Sequence, residues 1–228
     1  MQDTLEAAVL AVTGERLRVK ASSRTDAGVH AAALPVLLRT QSPIPQHGLI
    51  RAMNSALPPD CSVIAATGVD DDFDVRTSAS GKIYRYRVWN DRPRSALRTR
   101  THWHVPVRLD LEAMRRAALA LIGEHDFSAF RASGCQSKSP VRRLTRIAIE
   151  GEAGGEVLFE LHGNAFLQNM VRILVGTLTE IGRGYRAESS TAEILASRDR
   201  RLAGQTAPGH GLTLEHVAYD LPLRWVCG

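Results

Sequence analysis

The sequence is short of cysteine, short of lysine, and has no long apolar run. Its three cysteines, Cys61, Cys135 and Cys227, are odd in number, far apart and never in C-x-x-C spacing. That argues against a disulfide framework and against a structural zinc site, and it fits a reducing cytoplasm. No apolar stretch approaches the ~20 residues of a membrane-spanning helix. Met1-Gln2-Asp3-Thr4 does not read as a secretion signal. The expectation is a cytoplasmic protein with no membrane partner.

What is present is an ordinary globular composition with a basic bias. The 228 residues can bury a real core as one large domain or two small ones. Hydrophobic residues make up 44% and charged residues 23%, in the range of soluble proteins. Lysine and arginine total 29 against 24 acidic residues, a net charge of +5. Only Lys20, Lys82 and Lys138 of those 29 are lysine. Guanidinium forks match phosphate oxygens, so the arginine excess suits phosphate contacts. A charge of +5 is weak support for nucleic acid on its own.

Hydrophobic periodicity predicts alternating helices and strands. Residues 4–13 read as a helix with Leu5, Ala8, Val9 and Val12 on one face, stopped by Gly14. Strands are expected at 18–21 and 33–39, a helix at 46–56 before Pro58-Pro59, and a strand at 62–66. Residues 81–89 alternate strongly and predict a strand. The Pro- and Arg-rich stretch 91–108 suggests a boundary between an N-terminal half, 1–100, and a C-terminal half, 101–228. The second half predicts a helix over 111–122 ended by Gly123 and strands at 144–150 and 156–162. A strongly apolar helix over 168–181, a short helix at 191–197 and a final strand at 212–219 complete it. Two successive mixed sets rich in antiparallel strand pairs give an α+β class.

Four segments could carry chemistry. Ser23-Arg24-Thr25-Asp26-Ala27-Gly28-Val29-His30 is a polar turn between two expected strands, and it sets a carboxylate on a loop held by rigid elements. An Asp in such a turn commonly bonds its own backbone, and that reading stands beside the catalytic one. Tyr84 and Tyr86 share one face of their strand. They are either sheet-stabilising residues or a stacking platform for an extruded base, with Lys82 reaching phosphates. Arg172 lies within the apolar run Met170-Val171-Arg172-Ile173-Leu174-Val175-Gly176. It either snorkels to solvent or pairs with a buried carboxylate. The stretch from Phe127 through Arg131, Lys138 and Arg142 is a basic, serine-rich loop that could be a plain solvated connection.

Other clusters point to nothing. Asp70–Asp74 lacks calcium-loop spacing and reads as a solvated loop. His102-Trp103-His104 could suggest a metal, but no metal site is assigned to that pair of histidines. His30 beside Asp26 invites a Ser/His/Asp hydrolase reading with Ser22 or Ser23, but no nucleophile-elbow pattern supports it.

The run Arg24-Thr25-Asp26-Ala27-Gly28-Val29-His30-Ala31 resembles the signature loop of the TruA family of tRNA pseudouridine synthases. The likeness recurs in order. Phe73-Asp74-Val75-Arg76-Thr77-Ser78-Ala79 precedes the Tyr84 strand as in that family, and Asn164–Gly176 is similar to its Met-Val-Arg helix. The loop from Phe127 to Arg142 resembles one that approaches the RNA.

The resemblance implies a pseudouridine synthase fold, two α+β halves with mostly antiparallel sheets around a central basic cleft. It implies isomerisation of uridine to pseudouridine at positions 38–40 of the tRNA anticodon stem-loop, with no metal and no cofactor. Asp26 would be the catalytic carboxylate and Arg172 its partner, joining the two halves. Tyr84 would stack on the uracil, and Arg24 would fill the vacated stack or hold the backbone. Arg76, Lys82, Arg131, Lys138 and Arg142 would meet phosphates. The partners implied are tRNA and a second copy of the chain in a homodimer. A tRNA-binding protein without catalysis, acting as a chaperone, is the alternative. Family members open with a strand and a Tyr-Asp-Gly…Gly-Trp-Gln segment, whereas this sequence opens at the helix. The first sheet is therefore expected to lack a strand, with Leu5 and Val9 losing cover.

Overall fold

A computed structural model describes residues 1–227. The elements, in chain order, are α1 (Gln2–Thr13), β1 (Lys20–Ala21), β2 (His30–Ala31), β3 (Val36–Leu37), α2 (Gln46–Ala56), β4 (Ala65–Ala66) and β5 (Ala79–Trp89). They continue with β6 (Trp103–His104), α3 (Leu111–Ala118), β7 (Gly123–Asp126), β8 (Val141–Gly151) and β9 (Glu156–Gly163). The last are α4 (Met170–Gly182), α5 (Ser190–Ser197), β10 (Leu212–Tyr219) and β11 (Val226–Cys227). The class is α+β. Among the described residues no helix is long and apolar enough to cross a membrane.

The chain forms two compact units, each discontinuous in sequence. One comprises Met1–Arg24, Pro35–Ala79 and the stretch from Tyr219 onward, and the other comprises Thr25–Leu34 and Ser80–Ala218. This division differs from a single boundary near residue 100. β5 pairs with β6 and with β9, and those pairings tie residues 80–108 to the C-terminal part of the chain.

In the first unit, α1 ends where Gly14 turns left-handed at φ 73 and its N–H bonds the Leu10 carbonyl. Ala8 and Val9 of α1 pack against Met53 and Leu57 from α2 and its cap, and against Val19. Val9 is only 1% exposed, so the expected loss of cover there does not occur, because α2 fills that side. Strands here are shorter than the sequence suggests. β1 and β3 pair antiparallel over two residues, as do β4 and β11. Asp74 does not behave as part of a solvated acidic loop. It ion-pairs with Lys20, and its Oδ1 accepts from the Arg76 and Thr77 amides. Those contacts, Lys20 foremost, hold its carboxyl well below the usual carboxylate range.

The second unit is built on a seven-stranded sheet of order β2-β10-β5-β9-β8-β7, with β6 alongside the end of β5. The β5–β9, β9–β8 and β8–β7 pairs are antiparallel, while β2 on β10 and β6 on β5 are parallel. Alternation in β5 works as predicted. Tyr84, Tyr86 and Val88 point into the core opposite Leu161, Phe159 and Val157. Arg85 and Arg87 face the other way and pair with Glu160 at 3.0 Å and Glu215 at 3.1 Å. α3 starts at Asp110, whose carboxylate accepts from the Ala113 amide. It ends at Ala118, earlier than expected. A 3₁₀ turn, Leu119–Leu121, carries the chain into β7, which Gly123 opens rather than closing a helix.

α4 is buried nearly all round and is packed against α3. A stretch of backbone at Gly204–Gln205 runs directly over it, where Gly176 faces the Gln205 carbonyl with no space for a Cβ. Thr177 supports the crossing by accepting from the Gly204 amide at 2.9 Å. Gly176→Ala should therefore lose about 1–3 kcal/mol of stability through overpacking. Gly134→Ala, which meets nothing within 4 Å, should leave the thermal midpoint nearly unchanged. Equal midpoints for the two variants would contradict the crossing.

Candidate active site

The site begins one residue before α4. Asn169 takes a left-handed conformation at φ 61, which Asn tolerates better than most residues. Its side-chain oxygen then accepts from Arg172 Nη1 at 2.8 Å, one turn further on. Arg172 Nε donates to the Ala207 carbonyl at 2.7 Å, and the Ala207 amide bonds the Arg172 carbonyl at 3.1 Å. Held from both sides, the guanidinium meets Asp26 Oδ2 at 3.2 Å. The Arg172 side chain is 17% exposed and that of Asp26 34%. Arg172 thus turns inward to a carboxylate and does not snorkel.

Asp26 is fixed by its own turn, in which the Val29 amide bonds the Asp26 carbonyl at 3.0 Å. Gly28 supplies a left-handed residue there, at φ +79. A second backbone segment braces the turn. At Gly209 a Cβ would stand 2.6 Å from the Ala27 carbonyl oxygen, so the two chain segments touch through a position only glycine fits. Tyr86, behind this segment, donates its hydroxyl to the Pro208 carbonyl at 2.8 Å. It is fully buried, and burial pushes its phenol well up, with Arg172 acting in the opposite sense. Neither Asn169 nor the Thr206–Gly211 segment stands out in the sequence as a candidate. The density of Gly and Pro just ahead of the last long strand is the available signal.

The structure brings Asp26 and Arg172 together, and it places Tyr84 on the same unit. Tyr84 is buried on β5 with its ring edge-on to Phe166, 5.0 Å between centroids, in the segment that leads into α4. Lys82 is half-buried two residues earlier, opposite Gly163. The loop that carries Arg131 and Lys138 is tied to the same segment, since the Ala132 amide bonds the Gln168 carbonyl at 3.0 Å. Lys138 is exposed and Arg131 half-buried. Arg142 folds back on its own loop, donating to the Ser139 carbonyl at 2.9 Å and to Ser137 Oγ at 2.7 Å.

Arg24 and Arg76 belong to the other compact unit, and both are exposed; Arg76 Nε donates to the Ala21 carbonyl at 2.8 Å. His30 turns to the Arg100 carbonyl at 2.8 Å, so the structure gives the hydrolase reading no support.

Comparison with known proteins places the chain in one class. A family model described as tRNA pseudouridine synthase matches residues 117–220, the span that holds α4 and the crossing segment. The tRNA pseudouridine synthase A of Myxococcus xanthus is 48% identical over 219 residues, covering 96% of this chain and 83% of the relative. That of Acetivibrio thermocellus is 44% identical, covering 96% and 89%. That of Halalkalibacterium halodurans is 47% identical over 199 residues, covering 87% and 75%. The chain belongs to the tRNA pseudouridine synthase A family.

The geometry sets two expected outcomes. Arg172→Ala removes charged hydrogen bonds on three sides and should cost about 1.5–3 kcal/mol. Arg172→Ala combined with Asp26→Ala should cost less than the sum of the singles by at least about 0.5 kcal/mol, measured by denaturant titration. Strict additivity would show that the two side chains do not interact. For Tyr86 the folded-state pKa is raised, so the unfolded chain loses its proton first as pH rises. Stability should fall as pH rises past about 10. Tyr86→Phe should flatten that decline, as followed by chemical unfolding at alkaline pH.

Proposed function

We propose that the protein isomerises uridine to pseudouridine in tRNA, with Asp26 as its catalytic carboxylate. The observation that carries the reading is the Arg172–Asp26 ion pair, held by Asn169 and Ala207 on a braced turn. The reaction breaks the N1–C1′ bond, turns the detached uracil and bonds C5 to C1′. The C5 proton leaves and N1 gains one, so no electrons are exchanged. This chemistry requires one carboxylate at C1′ and a surface to hold the free base. Asp26 acts at C1′, Arg172 orients it, and Tyr84 stacks on the uracil.

The target base must leave its stem to be reached. Arg24, two residues before Asp26, fills the gap or holds the backbone. Arg76, Lys82, Arg131, Lys138 and Arg142 add positive charge for phosphates, and recognition rests on shape and backbone. Family membership favours positions 38–40 of the anticodon stem-loop, a homodimer and action in the cytoplasm.

Tritium release from tRNA carrying 5-tritiated uridine tests the reading. Wild type should release tritium. Asp26→Asn should lose roughly 10²–10⁴-fold or more in turnover while keeping its fold and its tRNA affinity. Tight tRNA binding with no release by the wild type would favour a non-catalytic chaperone. Tyr84→Phe keeps the ring and its packing on Phe166, so it should lower turnover with little change in melting temperature. A large drop in melting temperature at normal specific activity would make Tyr84 a sheet residue only.

A further inference from the structure

A second basic site lies on the same compact unit as Asp26. A cavity of about 370 Å³ is lined by Arg131, Arg198, Arg200 and Arg201, with Ser128 and Ser133. Asp199 is the one acidic residue in its lining, so the lining is net positive. Asp199 is occupied by Arg201, whose Nη2 lies 2.6 Å from its Oδ2, and Asp126 nearby meets Arg198 at 3.2 Å. Both arginines stay open to solvent, with side chains 67% and 89% exposed.

The backbone singles out the same place. Arg198 caps α5 in a left-handed conformation at φ 56. Glycine is the usual residue there, and a long side chain carries a conformational cost. Asn169 and Arg198 are the two non-glycine residues with positive φ among the described residues. Asn169 serves the Asp26–Arg172 pair. Arg198 holds its guanidinium at the rim of this cavity.

The pocket is joined to the active site on two walls. Arg200 Nη2 bonds Thr206 Oγ1 at 3.1 Å, and the next residue, Ala207, accepts from Arg172. On the other side, Ala132 of the pocket bonds Gln168, four residues before Arg172. These links place the pocket on the same backbone segments that hold Arg172. Guanidinium forks and serine hydroxyls are the groups that hold phosphate oxygens.

We propose that this pocket binds backbone phosphate of the RNA a few nucleotides from the reacting uridine, with Arg198 and Arg201 as the contacting residues. Arg200 is the positioning residue that sets the pocket wall. The identity of the polyanion rests on the tRNA reading above; the phosphate site itself rests on the cavity.

The test uses the full chain with Arg198→Gly and Arg201→Gln together. Glycine suits the left-handed position, so the variant should melt at the wild-type temperature or above it. Affinity for tRNA should nevertheless fall, and the slope of log affinity against log salt should shrink by about 1 per phosphate that is no longer neutralised. A structural role for Arg198 would give the opposite pairing, lower stability with binding intact. Unchanged affinity and slope in a folded variant overturn the proposal. Binding of inorganic phosphate, measured by calorimetry, separates a small-anion site. Loss of phosphate binding in the variant with tRNA affinity unchanged also overturns it. Tritium release by the wild type is scored separately. Its absence would sink the synthase reading, while a variant-sensitive salt slope would still uphold the phosphate site.

Discussion

The guanidinium of Arg172 is the point on which the site depends. An arginine inside an apolar helix is costly unless its donors are used. Here they are used by three different parts of the chain: the helix start at Asn169, the crossing segment at Ala207, and the Asp26 turn. One charged group therefore registers three backbones against one another. Each partner is short and rigidly placed, so the carboxylate's position is set by α4 and the sheet rather than by its loop. Preorganisation of this kind is what the proposed reaction at a single sugar carbon would require of that carboxylate.

Backbone contacts do the rest of the bracing. The segment from Gly204 to Gly211 lies on α4 at Gly176, on the Asp26 turn at Gly209 and against Tyr86 at Gly211. Such crossings need an absence of side chain at each touching point. Contacts this close leave little room for adjustment.

Much of this is legible in the residues alone, and the limits have physical causes. α1, α2, α4, β5, β8 and β9 carry strong periodicity and lie close to their expected places. β2, β7 and β11 escape sequence reading, because strands of two to four residues are defined by a partner's hydrogen bonds and not by their own pattern. Arg172 announces a buried partner by its apolar surroundings, and the family likeness of the Asp26 loop names which one. Asn169 gives no such sign, since it falls within the first turn of the expected helix, whereas the helix starts at Met170. The acidic run at 70–74 misleads for a related reason. Composition shows four carboxylates, but not that Asp74 caps two amides and meets Lys20.

The interleaving of the two compact units bears on how the protein comes into being on the ribosome. The first unit holds residues from near the start of the chain together with β11, and Tyr219 gives it a ring packed on Phe73 and a hydroxyl bonded to the Val75 carbonyl. Those residues are synthesised after every residue of the second unit. The unit that begins first is thus completed after the other, and β4 stays unpaired until β11 has been made. An exposed strand edge of that kind is what chaperones bind and what aggregation exploits.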